Sequence, residues 1–182
     1  TLTLVHVLMR ETDFTNFFKD RKDCFIVSSF HCYNESSVIA KIGNTACKFG
    51  YRESIFKKHK SWIILEAEFS LHSDAPEVCA NRMQEMLKNK TAHQPMGEFA
   101  AGSIFKNPPG HSAWELIAEV ELKGKQIGGA KVSDQHANYI INTGNATAEH
   151  MIMLIAMIKQ RVRDRIVIQL QEEIQYVGFS HT

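Results

Sequence analysis

Hydrophobic residues recur along this chain with two different periods, and each period predicts a different element. From Ser61 to Leu71, Ile63, Leu65, Ala67, Phe69 and Leu71 alternate with Glu66, Glu68 and Ser70. A period of two predicts a half-buried strand with the apolar set on one face. From Met151 onward, Ile155, Ile158 and Val162 follow at helical spacing, behind Thr147 as a capping residue. That spacing predicts a helix with one apolar face. A second helix is predicted after Ser73-Asp74-Ala75-Pro76-Glu77, which combines a capping residue, an early proline and a first-turn acid. Its apolar stripe is Cys79, Met83, Met86 and Leu87, and it runs to about Lys90. Ser112-Ala113-Trp114-Glu115 reads as a capping box opening a short helix with Ala113, Leu116, Ile117 and Val120 inward.

Further strands are predicted at 2–9, 24–33, 37–42 and 139–142, and at the terminal runs Val167–Leu170 and Ile174–Val177. A short helix around Phe14, Phe17 and Phe18 follows Asp13, and Asn34-Glu35-Ser36 and Gly43-Asn44 read as turns. Residues 91–110 hold three of the four prolines and several glycines, which predicts a separator between two lobes. Helices and strands mix without strict alternation, so the expected class is α+β.

Composition narrows the picture chiefly by exclusion. The 182 residues suffice for one domain or two small lobes, and 21 basic against 20 acidic residues leave a net charge of +1. That balance gives no reason to expect a nucleic acid or a membrane surface as partner. No apolar run reaches spanning length and no signal peptide is visible, while Thr1 leaves room for residues before it. Cys24, Cys32, Cys47 and Cys79 form no C-x-x-C pair and read as free, mostly buried thiols of a cytoplasmic protein. The nine histidines show no metal-ligand spacing, so no metal is expected.

Chemistry-bearing words occur in a fixed order. They are Phe49-Gly50-Tyr51-Arg52-Glu53-Ser54-Ile55-Phe56-Lys57, Ala101-Gly102-Ser103-Ile104-Phe105-Lys106-Asn107-Pro108, and Leu122-Lys123-Gly124 through Ile127-Gly128-Gly129-Ala130. His136-Ala137-Asn138-Tyr139-Ile140-Ile141-Asn142, Asn145-Ala146-Thr147-Ala148 and Glu172-Glu173-Ile174 follow. Each is weak alone. Together, from about Cys47 to Gly178, the series resembles that of UDP-N-acetylenolpyruvoylglucosamine reductases, in their more compact type.

This resemblance implies a flavin enzyme of peptidoglycan synthesis. In that family NADPH reduces FAD, and hydride then passes to the enolpyruvyl ether of UDP-N-acetylglucosamine enolpyruvate, giving UDP-N-acetylmuramic acid. Such a site needs a cation for the charge that builds on the carboxylate, and a proton donor. The match assigns the cation to Arg52, the proton donor to Ser103 and an assisting acid to Glu173. It assigns substrate contacts to Asn107, to Lys123 at the diphosphate and to His136 near the uridine. Glu172, beside Glu173, is expected to face solvent, because strand residues alternate.

The sequence departs from the family pattern at Gln171, where an acid is usual, and at Val167, where a glycine usually follows the last helix. Implied domains are residues 1–95, the C-terminal part of the FAD-binding lobe with 1–46 divergent, and residues 96–182, the substrate-binding domain. Residues 1–46 contain only Gly43 and no phosphate-cradling loop, so the cofactor-binding residues stay unassigned. FAD binding is then expected to depend on a missing N-terminal domain. The alternative is a non-catalytic remnant that binds a UDP-sugar.

Overall fold

The computed structural model describes residues 25–33, 39–59, 61–71 and 73–176. The strand expected at 2–9, the helix at 14–18 and the turn at 34–36 lie outside the described residues. The chain is α+β and separates into two compact units, one ending at Ala75 and the other beginning at Pro76.

The first unit is a three-stranded antiparallel sheet in the order β2-β1-β3, from β1 (Phe25–Tyr33), β2 (Ile39–Gly43) and β3 (Ile63–Leu71). A 3-10 turn at Asn44–Cys47 and the single-turn helix α1 (Ile55–Lys58) connect β2 to β3. Phe30, Cys32, Cys47 and Phe56 are buried together and form its core. Phe30 meets Phe56 edge-on at 5.2 Å between ring centroids, a favourable aromatic geometry. The alternation of β3 is only partly used for burial. Ala67 and Phe69 pack on this core, but Ile63 and Leu65 on the same expected face are exposed. The core is small and sits opposite the Ala67 end, and the register is interrupted twice, by an extra residue of β1 between Val27 and Ser29 and by an extra residue of β3 opposite His31 and Cys32.

The second unit is built on a four-stranded antiparallel sheet in the order β4-β7-β6-β5. Its strands are β4 (Ala100–Ser103), β5 (Gln126–Ile127), β6 (Ala130–Val132) and β7 (Tyr139–Asn142). Two helices close its core, α3 (Ala113–Glu119) and α4 (Ala148–Ile166), while α2 (Pro76–His93) belongs to the unit without a buried residue. Leu154, Ile155, Ile158 and Val162 of α4 are buried against Leu116 and Ile117 of α3 and Val132 and Ile140 of the sheet. Residues 91–110, expected to separate two lobes, lie inside this unit and supply β4.

Several local expectations are revised. The stripe of α2 forms a helix but not a buried face: Met83 and Leu87 are 67% and 57% exposed, and only Met86 is half-buried. Periodicity makes a helix amphipathic, whereas burial also requires a partner surface. Cys79 on that helix is exposed, unlike buried Cys32 and Cys47. Ser112 makes no side-chain cap to α3. By contrast Thr147 caps α4 as expected, accepting from the His150 N–H at 3.2 Å, and the His150 Nδ1 accepts from the Thr147 N–H in return. His150 also explains Gly128, because a side chain at that position would collide with the imidazole.

Among the described residues the terminal runs form no regular strand. The segment between them meets the chain after β4 through the bridge of Glu172 with Phe105 and the backbone bonds of Gln171 and Glu173. Val167 ends α4 in the left-handed region, with φ 64° and ψ 26°, and its N–H bonds the Arg163 carbonyl. This is the position where glycine is normally favoured, since a β-branched side chain is strained there. Val167 is 87% exposed and so has little packing to lose. Val167→Gly should therefore stabilise the chain by about 1 kcal/mol, the left-handed penalty less glycine's entropy cost. Urea unfolding would measure this, and an unchanged midpoint would mean that Val167 carries no strain.

Candidate active site

Ser103 is the last residue of β4, and its place follows from an irregularity in the pairing with β7. Ala100 pairs with Ile141 and Ser103 with Tyr139, so the β4 side carries one extra residue. Gly102 takes up the mismatch with φ +93°, which a side chain would strain. Bulges of this kind re-aim a side chain. Among the described residues, no hydrogen bond from a loop group fixes the Ser103 hydroxyl.

Immediately beyond, the chain is tied down from two sides. Ile104 donates its N–H to the Asn138 carbonyl at 2.9 Å. The Asn138 side chain accepts from the Phe105 N–H through Oδ1 and donates through Nδ2 to the Phe105 carbonyl, both at 2.9 Å. On the other side Glu173 donates its N–H to the Ile104 carbonyl at 2.8 Å, and Lys106 donates to Gln171 at 2.8 Å. Ser103 and Glu173 are thereby held on adjacent segments, one residue apart through Ile104. Glu173 is half-buried.

Glu172 does not face solvent as expected. It accepts from Lys159 Nζ at 2.6 Å and from the Tyr176 hydroxyl at 2.7 Å. Burial would raise its carboxyl, but these two donors outweigh burial and hold it below the usual range. The same contact and burial push the Tyr176 hydroxyl up to about 12. Glu172 thus anchors the terminal segment to α4.

A wall of rings borders the Ser103 end of the sheet. His136 lies edge-on to Tyr139 at 4.8 Å between centroids and tilted against Trp114 at 5.9 Å. The Asn138 N–H points to His136 Nδ1 at 3.3 Å, which favours the neutral ring with its proton on Nε2. Burial pushes the imidazole below its ordinary value; its own backbone hydrogen bond opposes this, and the charges of Lys123 and His93 add to it. Lys123 is exposed in the turn after α3, where Gly124 donates to the Val132 carbonyl at 3.0 Å. Asn107 Oδ1 accepts from the N–H of Ala113, the first residue of α3, at 2.9 Å. Asn107, rather than Ser112, therefore caps this helix through its side chain.

Arg52 belongs to the first unit. It is buried, and the turn that carries it is closed by reciprocal backbone bonds between Gly50 and Glu53 at 2.9 and 3.2 Å. Its guanidinium lies 5.5 Å from the Tyr51 ring centroid, and Lys57 Nζ donates to its carbonyl. Its φ of 57° is uncommon for a residue other than glycine, and such backbone strain concentrates at functional sites. Ser103, Glu173, Asn107, Lys123 and His136 all belong to the second unit.

Sequence reasoning gave no role to Asn138, which is buried and joins Ser103's loop to the ring wall. The available signal was a short side chain with donor and acceptor, set between Ala137 and Tyr139 at the start of an apolar run. As for a flavin's pyrophosphate, the adjacent glycines Gly128 and Gly129 form no open cradle. The space at Gly128 is filled by His150, and that at Gly129 by Asn145 and Ala146. Among the described residues no cluster of three or more metal-ligating side chains occurs, and no helix is long and apolar enough to cross a membrane.

The α+β unit that carries Ser103, Asn107, Lys123, His136 and Glu173 is the part of the chain that a known family model matches. Residues 94–177 match the family model for the UDP-N-acetylenolpyruvoylglucosamine reductase C-terminal domain, and the chain belongs to that family through this part. It is 40% identical over 153 residues to the UDP-N-acetylenolpyruvoylglucosamine reductase of Caldanaerobacter subterraneus subsp. tengcongensis, covering 84% of this chain and 50% of the relative. The reductase of the same name from Carboxydothermus hydrogenoformans is 40% identical over 145 residues, covering 80% and 48%. The crystal structure of the Thermus caldophilus reductase superposes with a TM-score of 0.68 at 28% identity, over 82% of this chain and 52% of that one. The chain spans about half the length of the curated relatives it matches.

The geometry of His136 makes a pH prediction. Its folded value lies below the ordinary 6.5 of the unfolded chain. Above 6.5 both states are neutral, and the contribution to stability is complete. As pH falls through 6.5, only the unfolded state takes the proton, so stability is lost until the folded ring protonates too. In urea titrations from pH 7.5 to 5, His136→Gln should remove part of the parent's decline. Parallel curves for parent and variant would show that the ring is not held neutral.

Proposed function

We propose that this chain forms the substrate end of an oxidoreductase that reduces the enolpyruvyl ether of UDP-N-acetylglucosamine enolpyruvate for peptidoglycan synthesis. The observation that supports this reading most is the joining of Ser103 and Glu173 through Ile104 within one unit. Ser103 would hold the proton delivered to the substrate carbon next to the carboxylate. A serine hydroxyl is a poor acid, so the role suits only a strongly basic, carbanion-like centre. Glu173 would assist that proton's movement. Arg52 would meet the carboxylate with two charge-assisted hydrogen bonds, which a guanidinium provides and an ammonium does not.

Lys123 would meet the diphosphate as a compact charge, and Asn107 and His136 would contact the remainder of the nucleotide sugar. Hydride would come from FAD reduced by NADPH, and FAD would be held by a further domain N-terminal to residues 1–95, the end of the flavin lobe. Residues 96–182 would then be the substrate-binding domain, in a cytoplasmic protein. The filled glycine positions favour a second reading in one respect: without that domain, the chain would bind a UDP-sugar and perform no reduction.

Two measurements test these assignments. Lys123→Ala should weaken UDP binding by about 1–3 kcal/mol, the value of one charge-assisted contact, with the unfolding midpoint unchanged. Calorimetric titration of the chain with UDP decides, and equal affinities would make Lys123 an ordinary turn lysine. In the chain joined to its flavin domain, Ser103→Ala should leave flavin reduction by NADPH fast. It should slow reoxidation by the enolpyruvyl sugar about 10²–10⁴-fold, the usual effect of removing a positioned acid. Stopped-flow absorbance separates the two half-reactions. If both slow together, the serine holds the loop; if neither slows, the proton comes from Glu173 or water.

A further inference from the structure

We propose that Asn138 is the positioning residue of this site, fixing Ser103 and Glu173 in one register through the peptide of Phe105; its catalytic meaning rests on the reading above. Asn138 is buried, and its amide engages both backbone groups of a buried residue, as a strand partner would. No regular strand continues β4 at this point, since β4 ends at Ser103. The Asn138 side chain therefore supplies the pairing that the missing strand residues cannot. Its backbone carbonyl takes the Ile104 N–H, so three of the four backbone groups of Ile104 and Phe105 depend on this one residue.

The opposite edge of the segment carries the acid. Ile104's carbonyl receives the Glu173 N–H, and Phe105 bridges Glu172. A shift of the Ile104–Phe105 peptide must move Ser103 and Glu173 relative to one another. It need not move Lys123, which is held by the bonds of Gly124 and Lys125 to Val132 and Leu122. The clamp also reaches the ring wall, because the Asn138 N–H fixes His136. An amide suits this place because only Asn or Gln offers a donor and an acceptor side by side. Gln would add a methylene to a packed interior.

Amide hydrogen exchange on the chain tests the clamp, and half-reactions of the chain joined to its flavin domain test its purpose. In Asn138→Ala, the amides of Phe105 and Glu173 should exchange on the order of tenfold faster or more, the loss expected per hydrogen bond. Those of Ile155 and Ile158 in α4 should not change. Asn138→Asp, which keeps the size if the alanine variant fails to fold, retains an acceptor for the Phe105 N–H but, with its carboxylate ionised, sets an oxygen against the Phe105 carbonyl. That repulsion should release the segment and speed exchange at both amides. At lower pH its protonated form can again donate to Phe105, and protection should return. Reoxidation of the reduced flavin by the enolpyruvyl sugar should slow in both variants, while affinity for UDP stays at the parent value. Equal acceleration of all slow amides would overturn the proposal, leaving Asn138 a general stability residue; so would an unchanged Phe105. If the parent turns over and neither variant is slower, the clamp alone is refuted. A parent that binds UDP but never reoxidises flavin defeats the functional reading, whatever the exchange data show.

Discussion

Phe105 lies in the interior with its backbone N–H and carbonyl both away from water, and neither finds a partner in a regular strand. A buried peptide group without a hydrogen bond costs on the order of 1–3 kcal/mol, so the segment after Ser103 could not pack there unaided. The Asn138 amide meets both groups at 2.9 Å. With that peptide fixed, the Phe105 ring can enter the core with Ile104, Leu154 and Leu170, and the chain between 171 and 173 can align along the other side. One side chain thus ties a β-bulge, a core aromatic and the terminal segment into a single arrangement.

The remainder of the second unit serves to keep that arrangement in place. Helix α4 contributes the buried face of Leu154, Ile155, Ile158 and Val162, and its outer side carries Lys159, which holds Glu172. The two consecutive glutamates consequently have unlike environments. Glu172 is ionised between a lysine and a tyrosine, while Glu173 is half-buried and its backbone N–H is bonded to the Ile104 carbonyl. The Gly128-Gly129 pair is explained by the close approach of His150, Asn145 and Ala146. Its glycines permit packing at the start of α4.

Helices α3 and α4 and strand β7 were legible in the sequence, because burial follows period there: Ile155, Ile158 and Val162 lie inward at the spacing that predicts them. The same logic failed for α2 and for the outer end of β3. Met83 and Ile63 sit at apolar positions of proper periodicity and remain exposed. A period reports which side of an element could be covered, and coverage depends on contacts from residues distant in sequence. The terminal runs were misread for a related reason. Val167–Leu170 has strand-forming composition, but Val167 is spent on ending α4, and composition carries no record of that.

At the site, legibility divides between what a residue type can do and what its surroundings leave it free to do. The order of motifs identified Ser103 and Glu173, and the fold brings them onto neighbouring segments through contacts of high sequence separation. Asn107 shows the limit of such reading. Its side-chain oxygen is engaged with the first N–H of α3, a capping role that the motif does not record and that constrains the substrate contact proposed for it. Asn138 shows the converse. Nothing in its local pattern separates a clamp from a turn residue, since the peptide it satisfies lies 33 residues away. Long-range satisfaction of buried polar groups is therefore the information that motifs omit, and in this unit it decides where the motif residues stand.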